Sequence, residues 1–212
     1  MELIRYLNKY FFTKQQLLDI SKITNSEFEY FISLGVMPKH SYKLKAKVVS
    51  DSFFGEHIVN ESIEYFAKGY AAWIGSLQIL DDKNNAFLVF SKRYRERIAY
   101  LAQKGFVSDD PRVNGAIDSH IEKEWISFID GIYGLCTKSG LPEDIASKEL
   151  ATLLINSFIG CKKLNKSGET KLANAVDLLD LSSSLFAPHE RRKSSRHRLI
   201  NEVRRQFKLE TK

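Results

Sequence analysis

FTKQQLLDISKITNSEFEYFISLGVMP, residues 12–38, contains two signals for the start of a helix in close succession. The motifs Thr13-x-x-Gln16 and Thr24-x-x-Glu27 each match a capping box, in which two side chains and two backbone N–H groups satisfy one another. Apolar residues follow each motif at helical spacing, and Gly35 with Pro38 ends the second segment. The stretch therefore predicts two short helices joined by a tight turn, a helix-turn-helix candidate.

The order of these residues resembles the MerR type of DNA-binding module, with its Gly-Val-x-Pro exit at residues 35–38. The resemblance implies DNA binding, which needs cations near phosphates and donors near base edges. The second predicted helix, residues 25–34, instead carries Glu27 and Glu29 and has no Lys or Arg. We favour a structural helix pair, and we keep DNA contact as the alternative. In that alternative, the phosphate contacts come from a predicted strand or wing that contains Lys39, Lys43, Lys45 and Lys47.

Composition indicates a globular chain of mainly α fold class. Of 212 residues 43% are hydrophobic and 12% aromatic, which provides enough apolar surface for a substantial core. We predict a helix-turn-helix-like module at residues 1–50, with a short β wing, followed by a helical-bundle domain at residues 51–212. The predicted helices of the second domain cover residues 59–80, 86–104, 113–136, 143–160, 168–181 and 194–208.

Targeting signals and metal motifs are absent from the sequence. The first residues lack the apolar core of a signal peptide, and the longest apolar run, residues 70–80, is about half of the roughly twenty residues that a membrane span needs. Cys136 and Cys161 have no Cys-x-x-Cys spacing, which indicates reduced, buried thiols. We expect a cytoplasmic protein with no membrane partner, no metal and no other cofactor.

Positive charge is concentrated at the C-terminal end. Residues 189–208 contain eight Lys and Arg against two Glu, and so account for the whole net charge of +6. The rest of the chain is electrically balanced, unlike a generally basic nucleic-acid binder. The function of residues 189–208 must therefore account for the net positive charge of the chain.

The segment around residues 117–132 carries carboxylates on a predicted helix. Drawn at 100° per residue, its apolar stripe has Asp118 near the middle, so this carboxylate either points inward or lies at the helix start and interacts with free N–H groups. His120 and Glu124 share another face, which we interpret as an exposed i, i+4 pair instead of a metal site. Two glycines at 131 and 134 either weaken the helix or let another backbone approach.

Arg196 is the arginine of the basic segment that requires a specific partner. On the helical wheel it lies in the centre of the stripe formed by Leu199, Ile200 and Val203, and an inward guanidinium needs a carboxylate or a ligand anion. A ligand anion would also meet the N–H groups and hydroxyls near the predicted helix start, contributed by Ser194 and Ser195. In the alternative, Arg196 clamps the last helix onto the domain by pairing with Asp180 or Asp118.

Three motifs spread along the chain resemble a bacterial domain-of-unknown-function family, numbered 6058. The motifs are Ser50-x-x-Phe53-Phe54-Gly55 with Tyr42, Trp125-x-x-Phe128-x-Asp130-Gly131-x-Tyr133-Gly134-x-Cys136, and Phe186-Ala187-Pro188-His189-Glu190-Arg191 with Ser194-Ser195-Arg196. Members of that family are usually labelled natural-product-biosynthesis proteins. The label implies a context in secondary metabolism, but neither a reaction nor catalytic residues.

Together these observations predict a bacterial protein that binds a small anionic metabolite near Asp118, His189 and Arg196, as an enzyme or as an accessory protein. If it is an enzyme, His189 or Glu190 is the candidate for acid–base chemistry and Arg196 holds the anion. The alternative is a ligand-responsive DNA-binding regulator of MerR-like type. A third hypothesis is a scaffold whose basic segment recruits an acidic partner. The sequence leaves the ligand, the reaction and the oligomeric state open.

Overall fold

The computed structural model of the chain describes residues 2–161 and 164–209, which are mainly helical with one small antiparallel sheet. The elements up to the body of the helical region are α1 (Glu2–Tyr10), β1 (Phe11–Thr13), α2 (Lys14–Ser21), α3 (Asn25–Ser33), β2 (Tyr42–Ser52), β3 (Gly55–Ala67) and α4 (Tyr70–Ile79). They are followed by α5 (Ala86–Gln103), α6 (Ile117–Ile129), α7 (Ile132–Cys136), α8 (Pro142–Phe158), α9 (Lys166–Ser182) and α10 (Glu202–Phe207). A π-helical turn, His197–Asn201, leads directly into α10.

Both capping boxes in residues 12–38 form, and they fix where α2 and α3 begin. The Thr13 hydroxyl accepts from the N–H of Gln16 at 3.3 Å, and the Gln16 side chain accepts from the N–H of Thr13 at 3.0 Å. At α3 the equivalent bonds between Thr24 and Glu27 measure 3.2 and 2.8 Å. The predicted pair of short helices is therefore present, with a turn at residues 22–24 between them.

A long β-ribbon follows the helix pair, and it corrects the prediction for residues 59–80. β2 and β3 pair without interruption from Tyr42↔Tyr65 to Ser52↔Gly55, so residues 59–67 are a strand and only Tyr70–Ile79 is helical. Apolar residues at 58, 59, 63 and 65 suit a paired strand as well as a helix, and the ladder with β2 decides between them. β1 adds a third strand beside the end of β3. Because the ribbon begins at Tyr42, the predicted domain boundary after residue 50 falls inside β2.

The largest core cluster joins the N-terminal helix pair to the helical body. Its fully buried aromatic centre includes Trp73, Phe90 and Phe128, and the Phe128 ring contacts Trp73 edge-on and Phe90 in a tilted arrangement. Trp73 also donates its indole N–H to the carbonyl of Val36 at 2.8 Å, which ties the exit of α3 to α4. Since Leu17 and Phe28 belong to the same cluster, α2 and α3 are packed on the body.

Two further core clusters pack around the C-terminal segment, which is residues 183–209. One buries apolar faces of α8 and α9 against Leu199, Ile200 and Val203, as the helical wheel predicts. The other lies between α1, the root of the β-ribbon and Ala187. The C-terminal segment thus crosses from α9 to the sheet, and the space between these two clusters is where the cavity described below opens.

Close backbone approach explains the two glycines near residue 131. The predicted helix 113–136 is divided into α6 and α7 at Gly131, whose φ is +78°. A Cβ there would lie 2.6 Å from the carbonyl oxygen of Lys39, and one at Gly134 would lie 2.2 Å from the Ser41 hydroxyl. Glycine at both positions therefore allows the segment before β2 to approach closely. Such an approach is one of the two alternatives predicted from the sequence.

Within residues 2–161 and 164–209, no helix has both the length and the apolar character needed to cross a bilayer.

Candidate functional site

A cavity of about 640 Å³ lies where α1, the root of the sheet, the segment after α7, the end of α9 and the C-terminal segment meet. That volume is within the range of small-molecule sites, roughly 300 to 1,000 Å³. Five regions that are distant in sequence contribute to its wall, so the cavity exists only in the folded chain. The lining residues are Tyr6, Tyr10, Phe11, Ala67, Gly134, Thr137, Lys138, Asp177, Asp180, Leu181, Ser183, Ser184, Leu185, Arg196 and Arg204.

Most of the wall is apolar. α1 contributes Tyr6 and Tyr10, and β1 contributes Phe11. The last turn of α9 contributes Leu181, and the segment after it contributes Leu185. Both leucines are exposed large apolar side chains, with relative exposures of 68% and 45%. Burial raises the pKa of Tyr6 to about 12, so its hydroxyl is neutral at physiological pH. This wall suits the apolar body of a ligand better than a highly hydrated ion.

One end of the cavity is a network of alternating charges. Arg196 forms an ion pair with Asp180, and Arg204 Nη1 lies 2.6 Å from the other oxygen of the same carboxylate. Arg204 Nη2 reaches Asp177 at 3.0 Å. Asp177 and Asp180 are three residues apart on α9 and so project from one face of that helix. The structure thus contains the Arg196–Asp180 pair that we considered as the alternative to a ligand, and it places this pair in a cavity wall.

The π-helical turn brings Arg196 and Arg204 onto the same face. In a regular α-helix, residues eight apart are rotated by about 80° from one another, since two turns take only about seven residues. The π turn at residues 197–201 takes about one residue more than an α turn, so two turns here take about eight residues. Both guanidinium groups can therefore reach Asp180, and the ideal wheel could not reveal this.

The carboxylate of Asp180 remains ionised. Burial alone would raise the pKa of Asp180, but hydrogen bonds from Arg204 and Arg196 outweigh it and hold that pKa below its usual value. Burial likewise opposes charge on Arg204, and its bonds to Asp180 and Asp177 raise the pKa of the guanidinium nevertheless. The Arg204 Nε atom is buried and has no hydrogen-bond partner among the described residues.

Lys138 gives the cavity an excess of positive charge. It is exposed, it lines the cavity, and among the described residues its ammonium group forms no ion pair. Three cations therefore face two carboxylates in the described lining. An additional anion at this wall would complete the alternation of charges.

Of the residues predicted for the ligand site, Arg196 lines the cavity, and Ser194 and Ser195 directly precede it in the sequence. Ser194 is buried, donates to the carbonyl of Arg191 at 2.6 Å and accepts from the N–H of His197 at 3.1 Å. It therefore caps the turn that carries Arg196. Ser195 is half-buried. Neither serine is part of the cavity lining.

Asp118 does not point inward, and that prediction is wrong. Its side chain is 84% exposed and forms an ion pair with Arg95 on α5. The buried face of α6 is instead centred on Ile121, Glu124 and Phe128, and it is rotated about the helix axis relative to the assumed stripe. Asp118 lies in the first helical turn, where its negative charge interacts favourably with the helix dipole, although its side chain makes no capping hydrogen bond.

His189 and Glu190 lie between the cavity and the β-ribbon. His189 is 62% exposed, and its Nε2 is 3.9 Å from a carboxylate oxygen of Glu190. The other Glu190 oxygen accepts from the Tyr42 hydroxyl at 2.6 Å and from the N–H of Ala187 at 3.3 Å. Glu190 thus fastens the turn at residues 187–190 to β2, and neither residue is among those that line the cavity.

The four lysines of the DNA-binding alternative are exposed, and two of them are paired. Lys39 lies 2.8 Å from Asp130, and Lys43 lies 2.9 Å from Glu64 across the ribbon. Lys45 and Lys47 are on the same face of β2 as Lys43. On α3 the Glu29 carboxylate is engaged by Lys14. The predicted phosphate-binding surface is therefore partly neutralised by carboxylates of the same chain.

A second polar cluster is buried on α6 and corrects the interpretation of His120 and Glu124 as an exposed pair. Each is only 8% exposed, and His120 Nε2 lies 3.7 Å from Glu124 and 3.8 Å from Glu149. The Tyr133 hydroxyl donates to Glu124. Burial raises the pKa of Glu124 to about 7 and lowers that of His120. In the described part of the chain, no group of three or more potential His, Cys, Asp or Glu ligands is arranged to hold a metal ion.

Sequence reasoning missed most of the cavity wall. Arg204 was hidden by the π turn, and Lys138 by its position in a loop between helices. The i, i+3 spacing of Asp177 and Asp180 before a basic segment was the available signal for the charged end. The aromatic residues of α1 gave no signal, because their role depends on how the first and last segments of the chain meet.

Comparison with known proteins returned one match. The profile of a protein family described as a family of unknown function (DUF6058) matches residues 86–208, more than half of the chain. This range includes α5 to α10 and the charged end of the cavity, whereas α1 and the β-ribbon precede it. No curated protein and no solved structure matches the chain.

Proposed function

We propose that this chain, which belongs to the DUF6058 family of unknown function, binds a small amphipathic anion in the cavity between α1, α9 and the C-terminal segment. The observation that carries the proposal is the excess cation in an otherwise apolar wall, where Lys138, Arg196 and Arg204 face two aspartates. The ligand's carboxylate or phosphate lies at this end, and its apolar body lies against the tyrosines of α1 and the leucines at the end of α9, Leu181 and Leu185.

The proposed role is binding, with the protein acting as an accessory protein of secondary metabolism or as the binding part of an enzyme. Asp177, Asp180 and the two arginines hold one another in ion pairs, which suits fixed electrostatic recognition better than proton transfer. If a reaction takes place, His189 and Glu190 remain the candidates for acid–base chemistry, and a ligand would have to extend to them. The secondary-metabolism context rests on the family resemblance alone.

Fluorescence of 8-anilinonaphthalene-1-sulfonate, an aromatic anion of suitable size, provides the test. We expect saturable binding to the folded protein and displacement by sodium octanoate but not by octanol, which has the same chain and no charge. Lys138→Gln and Arg196→Lys should each weaken octanoate displacement by at least about tenfold, the equivalent of one charge-assisted hydrogen bond. Arg198→Lys, an exposed neighbour in the same segment, is the matched control and should bind as the wild type does.

Circular dichroism and urea unfolding of each variant distinguish loss of a ligand group from loss of the fold. Lys138 is exposed and unpaired among the described residues, so Lys138→Gln should leave stability unchanged. If octanol displaces the probe as well as octanoate does, or if Lys138→Gln and Arg196→Lys bind octanoate normally, the cavity is not an anion site. If Arg196→Lys unfolds the protein, Arg196 is a structural clamp, and Lys138→Gln still decides the question of binding.

A second candidate function, that of a ligand-responsive DNA-binding regulator, is favoured by two capped helices followed by a ribbon with Lys45 and Lys47 exposed on one face. In this case duplex DNA should bind with an affinity that falls steeply as salt is added, because counterions are released on binding. Lys43→Ala combined with Lys45→Ala should weaken it further. Failure to bind any duplex at low salt removes this candidate.

A further inference from the structure

The outer part of the β-ribbon carries apolar side chains that nothing in the described chain covers. Every residue from 47 to 60 is exposed, although Val48, Val49, Ile58 and Val59 are large and apolar. At the tip, Phe53 and Phe54 are 97% and 95% exposed. A monomer seldom presents so many contiguous apolar groups to water, so this surface indicates a partner.

The pairing register divides the ribbon into two faces. Residues directly opposite each other project to the same side, so one face contains the pairs Lys45↔Ser62, Lys47↔Asn60, Val49↔Ile58 and Asp51↔Glu56. We call this the lysine face. Its charges are separated along the ribbon, since Lys45 and Lys47 lie toward the root and Asp51 and Glu56 lie at the tip.

This separation of charge makes the lysine face complementary to a second copy of itself. When two copies of the lysine face are stacked antiparallel, the acidic tip of each meets the basic root of the other. The uncharged Val49↔Ile58 pair lies midway between the two charged regions and meets its own copy at the two-fold axis. An isologous contact of this kind closes after two subunits.

We propose that two copies of this chain associate through their lysine faces, with the two ribbons crossing antiparallel at Val49 and Ile58. Opposite charges then align on both sides of the axis, and the central apolar pairs are removed from water. The tip lies four residues beyond Val49, about 13 Å at roughly 3.3 Å per residue, which is the distance from Val49 back to Lys45. The phenylalanines of each copy therefore reach the lysines of the other, where cation–π contact is available.

Charge at the tip argues against nucleic acid and anionic lipid as the partner. Asp51 and Glu56 flank the two phenylalanines, and they would be driven against phosphate groups if the tip entered a DNA groove or a lipid headgroup layer. Over residues 43–64, three lysines (Lys43, Lys45 and Lys47) are outnumbered by four acidic residues (Asp51, Glu56, Glu61 and Glu64). A second copy satisfies both signs of charge.

Charge reversal with rescue tests the proposal. The root variant is Lys45→Glu with Lys47→Glu, and the tip variant is Asp51→Lys with Glu56→Lys. Sedimentation or light scattering of the wild type should give twice the chain mass of 24.4 kDa. Each variant alone places like charges together and should raise the dissociation constant by at least about tenfold. An equimolar mixture of the two should restore the dimer as a heterodimer, and so should all four changes in a single chain.

Controls separate this interface from general effects of charge. Lys123→Glu with Lys171→Glu makes the same change in net charge as the root variant, at exposed positions on α6 and α9, and it should remain dimeric. The four-change chain shows that the substitutions are compatible with folding. The proposal is wrong if the wild type is monomeric. It is also wrong if the root variant or the tip variant dimerises by itself as the wild type does, or if their mixture fails to associate. Stronger association of the tip variant with duplex DNA, without dimerisation of the wild type, would identify nucleic acid as the occupant instead.

Discussion

Two carboxylates of this protein, the half-buried Asp180 and the buried Glu124, behave in opposite ways. Asp180 is surrounded by the guanidinium groups of Arg196 and Arg204, and its pKa is held below the usual value. Glu124 has a tyrosine hydroxyl, a histidine and a second carboxylate nearby, and its pKa rises to about 7. Burial disfavours the charge in both cases and does so more strongly at Glu124, and of the two only Asp180 accepts hydrogen bonds from permanent cations.

The comparison also separates a binding surface from an internal cluster. The Asp180 network lies in the wall of a cavity, and the Asp180 carboxylate is ionised at neutral pH. The Glu124 cluster lies between helices, and neither His120 nor Glu124 lines the cavity. Fixed charge beside an apolar cavity is what recognition of an anion requires, so the proposed function belongs to the first cluster.

The largest effect is expected when the network is broken at its centre. Asp180→Ala leaves Arg196 without its carboxylate and Arg204 with only one, and should lower the free energy of unfolding by about 3 to 4 kcal/mol in urea denaturation. Asp118→Ala is the matched control, since it breaks a surface ion pair with Arg95 and should cost less than about 1 kcal/mol. Equal costs for the two substitutions would mean that the Asp180 network does not clamp the C-terminal segment.

The pH dependence of stability distinguishes the Glu124 cluster from the Asp180 network. The Glu124 carboxyl loses its proton near 4.5 when unfolded and near 7 when folded, so its favourable contribution is complete below 4.5 and is lost as pH rises through 7. Glu124→Gln removes this dependence. Between about pH 5 and about pH 8, the variant should gain on the order of 2 to 3 kcal/mol of stability relative to the wild type.

Glu122→Gln provides the control for this pH series, because Glu122 is exposed on the same helix. Its stability should follow that of the wild type across the range. A constant difference between Glu124→Gln and the wild type at all pH values would show that Glu124 is ionised throughout, and the contrast with Asp180 would then disappear.

The smallest effect concerns the two serines before Arg196. Ser194→Ala removes the acceptor for the N–H of His197 and should lower the free energy of unfolding by about 1 kcal/mol. Ser195→Ala, at the neighbouring half-buried position, should change it by less than about 0.5 kcal/mol. Urea unfolding of the two variants side by side measures the difference, and a larger loss for Ser195→Ala would mean that the cap is wrongly assigned.

The mainly helical architecture was predictable from the sequence, because local signals determine it. Capping boxes at Thr13 and Thr24 gave the starts of α2 and α3, and periodic apolar residues gave α5, α8 and α9 to within two residues at either end. The match to a family of unknown function confirms the resemblance inferred from the spaced motifs. These features depend on residues a few positions apart, which is the range over which sequence patterns are informative.

Features that depend on distant partners were not predictable. Residues 59–67 became a strand because β2 pairs with them, and the inward face of α6 was set by the packing of Phe128 with the aromatic core and not by its own pattern. The π turn altered the phase of the last helix, which concealed Arg204. The cavity could not be inferred at all, since its wall combines the first and last segments of the chain.

A crystal structure of the protein soaked with 8-bromooctanoate is the most decisive test of anion binding in the cavity, because the anomalous signal of bromine locates the ligand without assumptions. We expect bromine between α1 and the leucines at the end of α9, with the carboxylate within hydrogen-bonding distance of Lys138, Arg196 or Arg204. Bromine at some other place in the molecule, or a carboxylate that points away from these three cations, would contradict it.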